Sequence, residues 1–181
     1  STPLLADLAA LNAAQAASHE RAAKALSGIA ESAFRMLGET ARKGSPPTEL
    51  EWQEIATKMI RDAGLEPGAG GPIVAYGEHT CDPHYDPAMD GKRPPRQDEI
   101  ILLDAWAKEP GADGVYAALT WMGIMSHEVP HEETQVFGLA VKARDLGFSL
   151  IEHAARNGRT VTGMEVDEVI RGFLIPSHHH Q

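Results

Sequence analysis

The segment Glu99-Ile100-Ile101-Leu102-Leu103-Asp104-Ala105-Trp106 constrains this chain more than any other. Its unbroken apolar run has the length and composition of a strand, and such a run predicts burial on both faces. One carboxylate, Asp104, interrupts it near its end. An acid in an apolar strand either satisfies nearby backbone donors or holds something else. After Pro110-Gly111-Ala112-Asp113-Gly114, a second strand is predicted from Val115 to about Met122, so the pair reads as a hairpin with a loose connection.

Helical spacing dominates on both sides of this hairpin. Ala22, Leu26, Ile29, Ala33 and Leu37 recur with the period of a helix, with Ser18 as its expected cap. Lys43-Gly44-Ser45-Pro46-Pro47 breaks it. Thr48-Glu49-Leu50-Glu51 is a capping box, and Trp52, Ile55, Met59, Ile60 and Ala63 form the apolar face that follows. A glycine-rich stretch then leads into a short strand, Pro72 to Tyr76. From Gly77 to Gln97 the chain reads as irregular and carries His79, Cys81 and His84, and loops of this length are often functional. Glu132 to Asn157 is a predicted long helix with Val136, Leu139, Ala143, Leu146, Leu150 and Ala154 on one face. Thr162-Gly163-Met164-Glu165 caps a last short helix. The order helix, helix, strand, loop, strand, strand, helix, helix predicts an α+β fold, with helices covering a small, mainly antiparallel sheet.

Composition excludes several classes. A formal net charge of −10 leaves no basic stripe for phosphates, so nucleic acid is not an expected partner. Cys81 alone cannot form an internal disulfide and is expected to be a small packed side chain. The first residues lack the basic flank and long apolar run of a signal peptide or membrane span, which makes the cytoplasm the default location and a membrane role unexpected.

Three stretches together resemble one family: Ile73 to Tyr85 with its Pro83-His84-Tyr85 ending, Ile101 to Ala107 around Asp104, and Gly114 to Trp121. Ala143-Arg144-Asp145 and Gly163 to Asp167 fit the same pattern. The family is that of X-prolyl aminopeptidases, prolidases, creatinases and methionine aminopeptidases, and the resemblance runs from about residue 18 to 172. It implies half of a "pita-bread" fold: a lead-in at 1–17, a half-domain at 18–174 and a His-rich tail at 175–181. Members hold two divalent ions (Mn, Co or Zn) between two pseudo-symmetric halves and act on small peptides with proline at the second position. Two aspartates come from the first half, and a histidine and two glutamates from the second. Paired ions lower the pKa of a bridging water and steady the tetrahedral intermediate.

Carried over by this resemblance, Asp104 stands at the first metal aspartate and His84 at a histidine that contacts substrate. The second metal aspartate corresponds to Ala118, and a methyl group cannot ligate. The expected histidine and glutamates of the second half have no counterparts before Gln181. The expectation is therefore a truncated or degenerate metallohydrolase domain, inactive alone and holding no metal stably. The alternatives are a binding or assembly module that dimerises through its exposed half-domain face, or pairs with a missing second half, and a mononuclear zinc hydrolase. The last rests on His127-Glu128-Val129-Pro130-His131, which matches H-E-x-x-H, with Glu152 as a possible third ligand. Pro130 opposes a continuous helix there. His84 also has a plain reading as a loop histidine bonded to a carbonyl.

Overall fold

The computed structural model describes residues 10–175. The predicted lead-in before residue 10 and the tail after Ile175 lie outside them. Two compact units follow one another, Ser1–Ser126 and His127–Gln181, and each is described by itself.

The first unit opens with α1, Ala13–Arg42, whose start is fixed by Asn12 rather than Ser18. Asn12 Oδ1 accepts the Gln15 N–H at 2.9 Å, and Gln15 Oε1 accepts the Asn12 N–H at 2.9 Å. This reciprocal pair satisfies two helix-end donors at once, so the helix begins earlier than its apolar rhythm suggests and Ser18 is buried within it. Helix α2, Glu49–Asp62, has the predicted capping box from Thr48 and Glu51. Strand β1 is only Glu66–Pro67, β2 is Ile73–Tyr76, β3 is Ile100–Lys108 and β4 is Ala117–Ile124. The segment read as irregular contains a 3-10 turn, Gly77–Cys81, and a short helix α3, Pro87–Asp90.

All strand pairings are antiparallel. β3 is central, flanked by β1 and β2 along one edge and β4 along the other. Burial on both faces is not what β3 shows. Ile101, Leu103, Ala105 and Ala107 are buried, while their even-numbered neighbours are half-buried. Strand side chains alternate between faces, and here both faces are apolar, which hides the alternation in the sequence.

The core lies between α1, α2 and the odd-numbered face of β3. Ala22, Leu26, Ala33 and Leu37 from α1 meet Trp52, Ala56 and Ile60 from α2 and Val74, Tyr76, Leu103 and Ala117 from the sheet. Phe34 meets Trp52 edge-on at 5.2 Å, and Trp52 stacks on Tyr76 at 5.9 Å. Such geometries suit the ring quadrupoles. Phe34 also requires Gly123, where a Cβ would come within 2.8 Å of its Cε1.

The second unit is a helical pair. Helix α4 is His131–Arg156 and α5 is Gly163–Leu174. The buried positions of α4 are Ala143, Gly147 and Ala154, whereas the predicted face members Val136 and Leu146 are 63% and 39% exposed. Small residues set the contact because they let α5 approach. A Cβ at Gly147 would lie 2.9 Å from Ile170 Cδ1. Thr162 and Glu165 form the predicted capping box, and Arg159 adds an ion pair at 2.6 Å.

Candidate functional site

Register places the acid of β3. Asp104 pairs with Thr120 on β4 and with Ile73 on β2, while Trp106 pairs with Ala118. Directly opposed residues in an antiparallel pair point the same way. Asp104, Trp106, Ala118 and Thr120 therefore share the sheet face turned away from the core. Thr120 donates its hydroxyl to Asp104 Oδ1 at 2.9 Å. Ala118 is the diagonal neighbour of Asp104, a separation of about 7–8 Å that long or charged side chains can span. Ala118, the position aligned by resemblance with a second ligand, is thus on the same face as Asp104, and it presents a methyl group to solvent. Trp106 bends towards the glycine-rich turn instead. A Cβ at Gly68 would overlap its indole, and the Gly68 N–H donates to the Trp106 carbonyl at 2.9 Å.

The loop after β2 is anchored from below. Gly77 turns the chain with φ +57°, a left-handed conformation that glycine adopts without strain. Glu49, the first residue of α2, is fully buried. Its Oε1 accepts the Tyr76 N–H at 2.6 Å and lies 2.9 Å from His79 Nδ1. Its Oε2 accepts the Tyr85 hydroxyl at 2.9 Å. His79 and Tyr85 stack at 4.4 Å, and Asp90 stands 3.9 Å from His79 Nε2. Burial, followed by the Glu49 carboxylate, pushes the Tyr85 hydroxyl pKa well above its ordinary value. A second clamp joins the loop to the start of β3: Arg93 Nη1 donates to Glu99 at 2.7 Å and Nη2 to the Tyr76 carbonyl at 3.2 Å. The guanidinium helps hold the Glu99 carboxyl below its usual range, against burial, which acts the other way.

His84 directly precedes the anchored Tyr85 in the chain. It is exposed, and its backbone N–H donates to Asp82 Oδ1 at 2.8 Å. Cys81 is exposed too, so it is not the packed side chain expected from its size. Sequence reading missed Glu49, His79 and Tyr85 as a group. Glu49 was visible only as part of a helix start, and no linear spacing signals a contact made 30 residues away.

The H-E-x-x-H segment belongs to the second unit. His131 is the first residue of α4, and His127 lies before Pro130 outside the helix. The two histidines therefore do not share a helical turn, as the proline ring dictates. Glu152 lies 21 residues further along α4, about 30 Å along its axis at the usual helical rise. Among the described residues, no three His, Cys, Asp or Glu side chains gather as a metal site would require.

A sequence profile of metallopeptidase family M24 matches residues 18–180. No curated protein sequence shows significant similarity to the chain. Among solved structures, prolidase from Thermococcus sibiricus superposes with a TM-score of 0.72 at 18% identity, covering 98% of this chain and 44% of the prolidase. Dipeptidase PepE from Mycobacterium ulcerans gives 0.73 at 19% identity, covering 98% and 43%. X-prolyl aminopeptidase from Caenorhabditis elegans, described as a cytosolic enzyme with a di-nuclear active site, gives 0.72 at 19% identity, covering 91% and 26%. The chain thus spans less than half the length of each of these structures, and it shares their fold over that span.

Proposed function

The chain belongs to metallopeptidase family M24, and on that footing we propose that it is a degenerate X-prolyl-peptidase-like domain that does not hydrolyse peptides by itself. One observation carries this reading. On the face where Asp104 presents its carboxylate, the diagonal position is Ala118. Two divalent ions need several oxygen or nitrogen donors around them. The side chains present do not fit such a pair: one carboxylate, one of whose oxygens already accepts from Thr120, faces a methyl group. Stable binding of paired Mn, Co or Zn would require donors from outside the described residues. Asp104 is then a vestigial metal position and His84 a retained peptide contact. The ligand class is a small peptide with proline second, because two of the structural neighbours are a prolidase and an X-prolyl aminopeptidase. Pure chain incubated with an X-Pro dipeptide and each metal is expected to release no proline. Metal-dependent release would overturn the reading.

A second reading, a non-catalytic assembly module, is favoured by β4. Its residues Ala117–Ile124 include no charged side chain, and it pairs only with β3 among the described residues. Trp121 and Met122 are 37% and 49% exposed. Edge strands without charges or prolines invite pairing with another chain. A second copy or a second half-domain would supply it, and light scattering on the purified chain separates this from a monomer. No described helix is long and apolar enough to cross a membrane. A cytoplasmic location is proposed by analogy with the cytosolic aminopeptidase.

A further inference from the structure

Glu49 carries more hydrogen bonds than a helix start needs. It caps nothing: the box at the start of α2 is completed by Thr48 and Glu51. Its carboxylate instead contacts the beginning, middle and end of Tyr76–Tyr85 together, through the Tyr76 N–H, the His79 imidazole and the Tyr85 hydroxyl. Where that carboxylate is ionised it only accepts, and His79 then meets it through an Nδ1–H. That leaves Nε2 directed to the side where Asp90 stands.

We propose that Glu49 is the positioning residue of the loop bearing His84, a buried anchor that fixes both ends of Tyr76–Tyr85 and so presents His84 in one place. A fully buried carboxylate is kept only where donors satisfy its oxygens. Three donors from one short segment make ordering of that segment the direct consequence of the burial. The stacked His79 and Tyr85 rings close the segment on itself. The inference rests on the reading of His84 as a peptide contact only for its functional consequence. The ordering of the loop is independent of it.

Amide hydrogen exchange on the full chain tests the anchor. In Glu49→Gln, one oxygen becomes an NH2 that faces donors. Exchange of amides 78–86 is expected to speed up at least about ten-fold while β3 keeps its rates. Tyr85→Phe, which deletes a single donor and is gentler on the fold, should speed the same amides about three-fold. A second readout follows the His84 imidazole resonance during titration with glycyl-proline. Its shift in the parent chain should weaken in both variants at unchanged circular dichroism. Unchanged loop exchange in both variants, or a rise spread evenly over β3, overturns the proposal. If loop exchange rises as expected and the parent His84 resonance ignores the peptide, the anchor stands and the peptide reading falls.

Discussion

Thr120 donates its hydroxyl to Asp104 Oδ1 at 2.9 Å, across the register pair that joins β3 to β4. This bond ties the acid of the outward sheet face to a neutral neighbour. Position 118 is two residues before Thr120 on the same face of the same strand, diagonal to Asp104.

Placing a carboxylate there should create part of a cation site. Ala118→Asp is expected to strengthen Mn²⁺ binding at least ten-fold in isothermal titration calorimetry. Histidines 178–180 should be replaced by alanine to silence the tail. Without metal, two acids at diagonal positions on one face should lower stability by up to about 0.5 kcal/mol, read from urea unfolding.

The contact between Phe34 and Gly123 is a packing constraint. Gly123→Ala puts a methyl group 2.8 Å from a ring carbon that is itself wedged against Trp52. Overpacking of this kind costs about 1–3 kcal/mol. The urea midpoint should fall accordingly, and relief by Phe34→Leu in the double variant would identify the clash as the cause.

Trp52 bridges helix and sheet, fully buried between Phe34 and Tyr76. Trp52→Ala should destabilise the first unit by about 3–5 kcal/mol. Loss of near-ultraviolet circular dichroism at a lower denaturant concentration is the readout.

Acid should weaken one surface link between α1 and the β3–β4 connection. Arg21 donates to both Glu109 oxygens at 2.7 Å, and it holds the Glu109 carboxyl down to about 2, from an ordinary 4.5. A group whose folded pKa is depressed stabilises fully above its unfolded pKa and loses that contribution as pH falls through the folded one. The effect therefore fades between about pH 5 and pH 2. Glu109→Gln should show a smaller fall in Tm from pH 6 to pH 3 than the parent chain. Because the pair is exposed, added salt should shrink the difference.

Local signals in the sequence were reliable where the physics is local. The boxes at Thr48 and Thr162 satisfy helix-end donors within four residues, and they form as read. Gly44, Gly64 and Gly158 end helices with positive φ, which their missing side chain permits. The strand around Asp104 was legible, but its buried side was not. Ile100, Leu102 and Trp106 are as apolar as the core-facing residues, so composition could not reveal which set turns inward. The start of α1 was missed because Asn12 and Gln15 sit in an alanine-rich stretch with no apolar rhythm to announce them. Of the candidate site, the placing of Asp104 and Ala118 on one face follows from strand register, which only the observed pairing of β3 with β4 fixes. The Glu49 anchor was invisible, because it joins a helix start to a loop through contacts that no periodicity encodes.

The proposed reading is that this chain, with Ala118 diagonal to Asp104, does not hold two cations and so does not hydrolyse a peptide alone. The most direct measurement counts Mn²⁺ bound by the variant lacking histidines 178–180 and follows proline release from glycyl-proline in the same sample. No stoichiometric binding of two ions and no release above the metal-only control are expected. Two tightly held ions per chain with turnover that disappears in Asp104→Ala would contradict it.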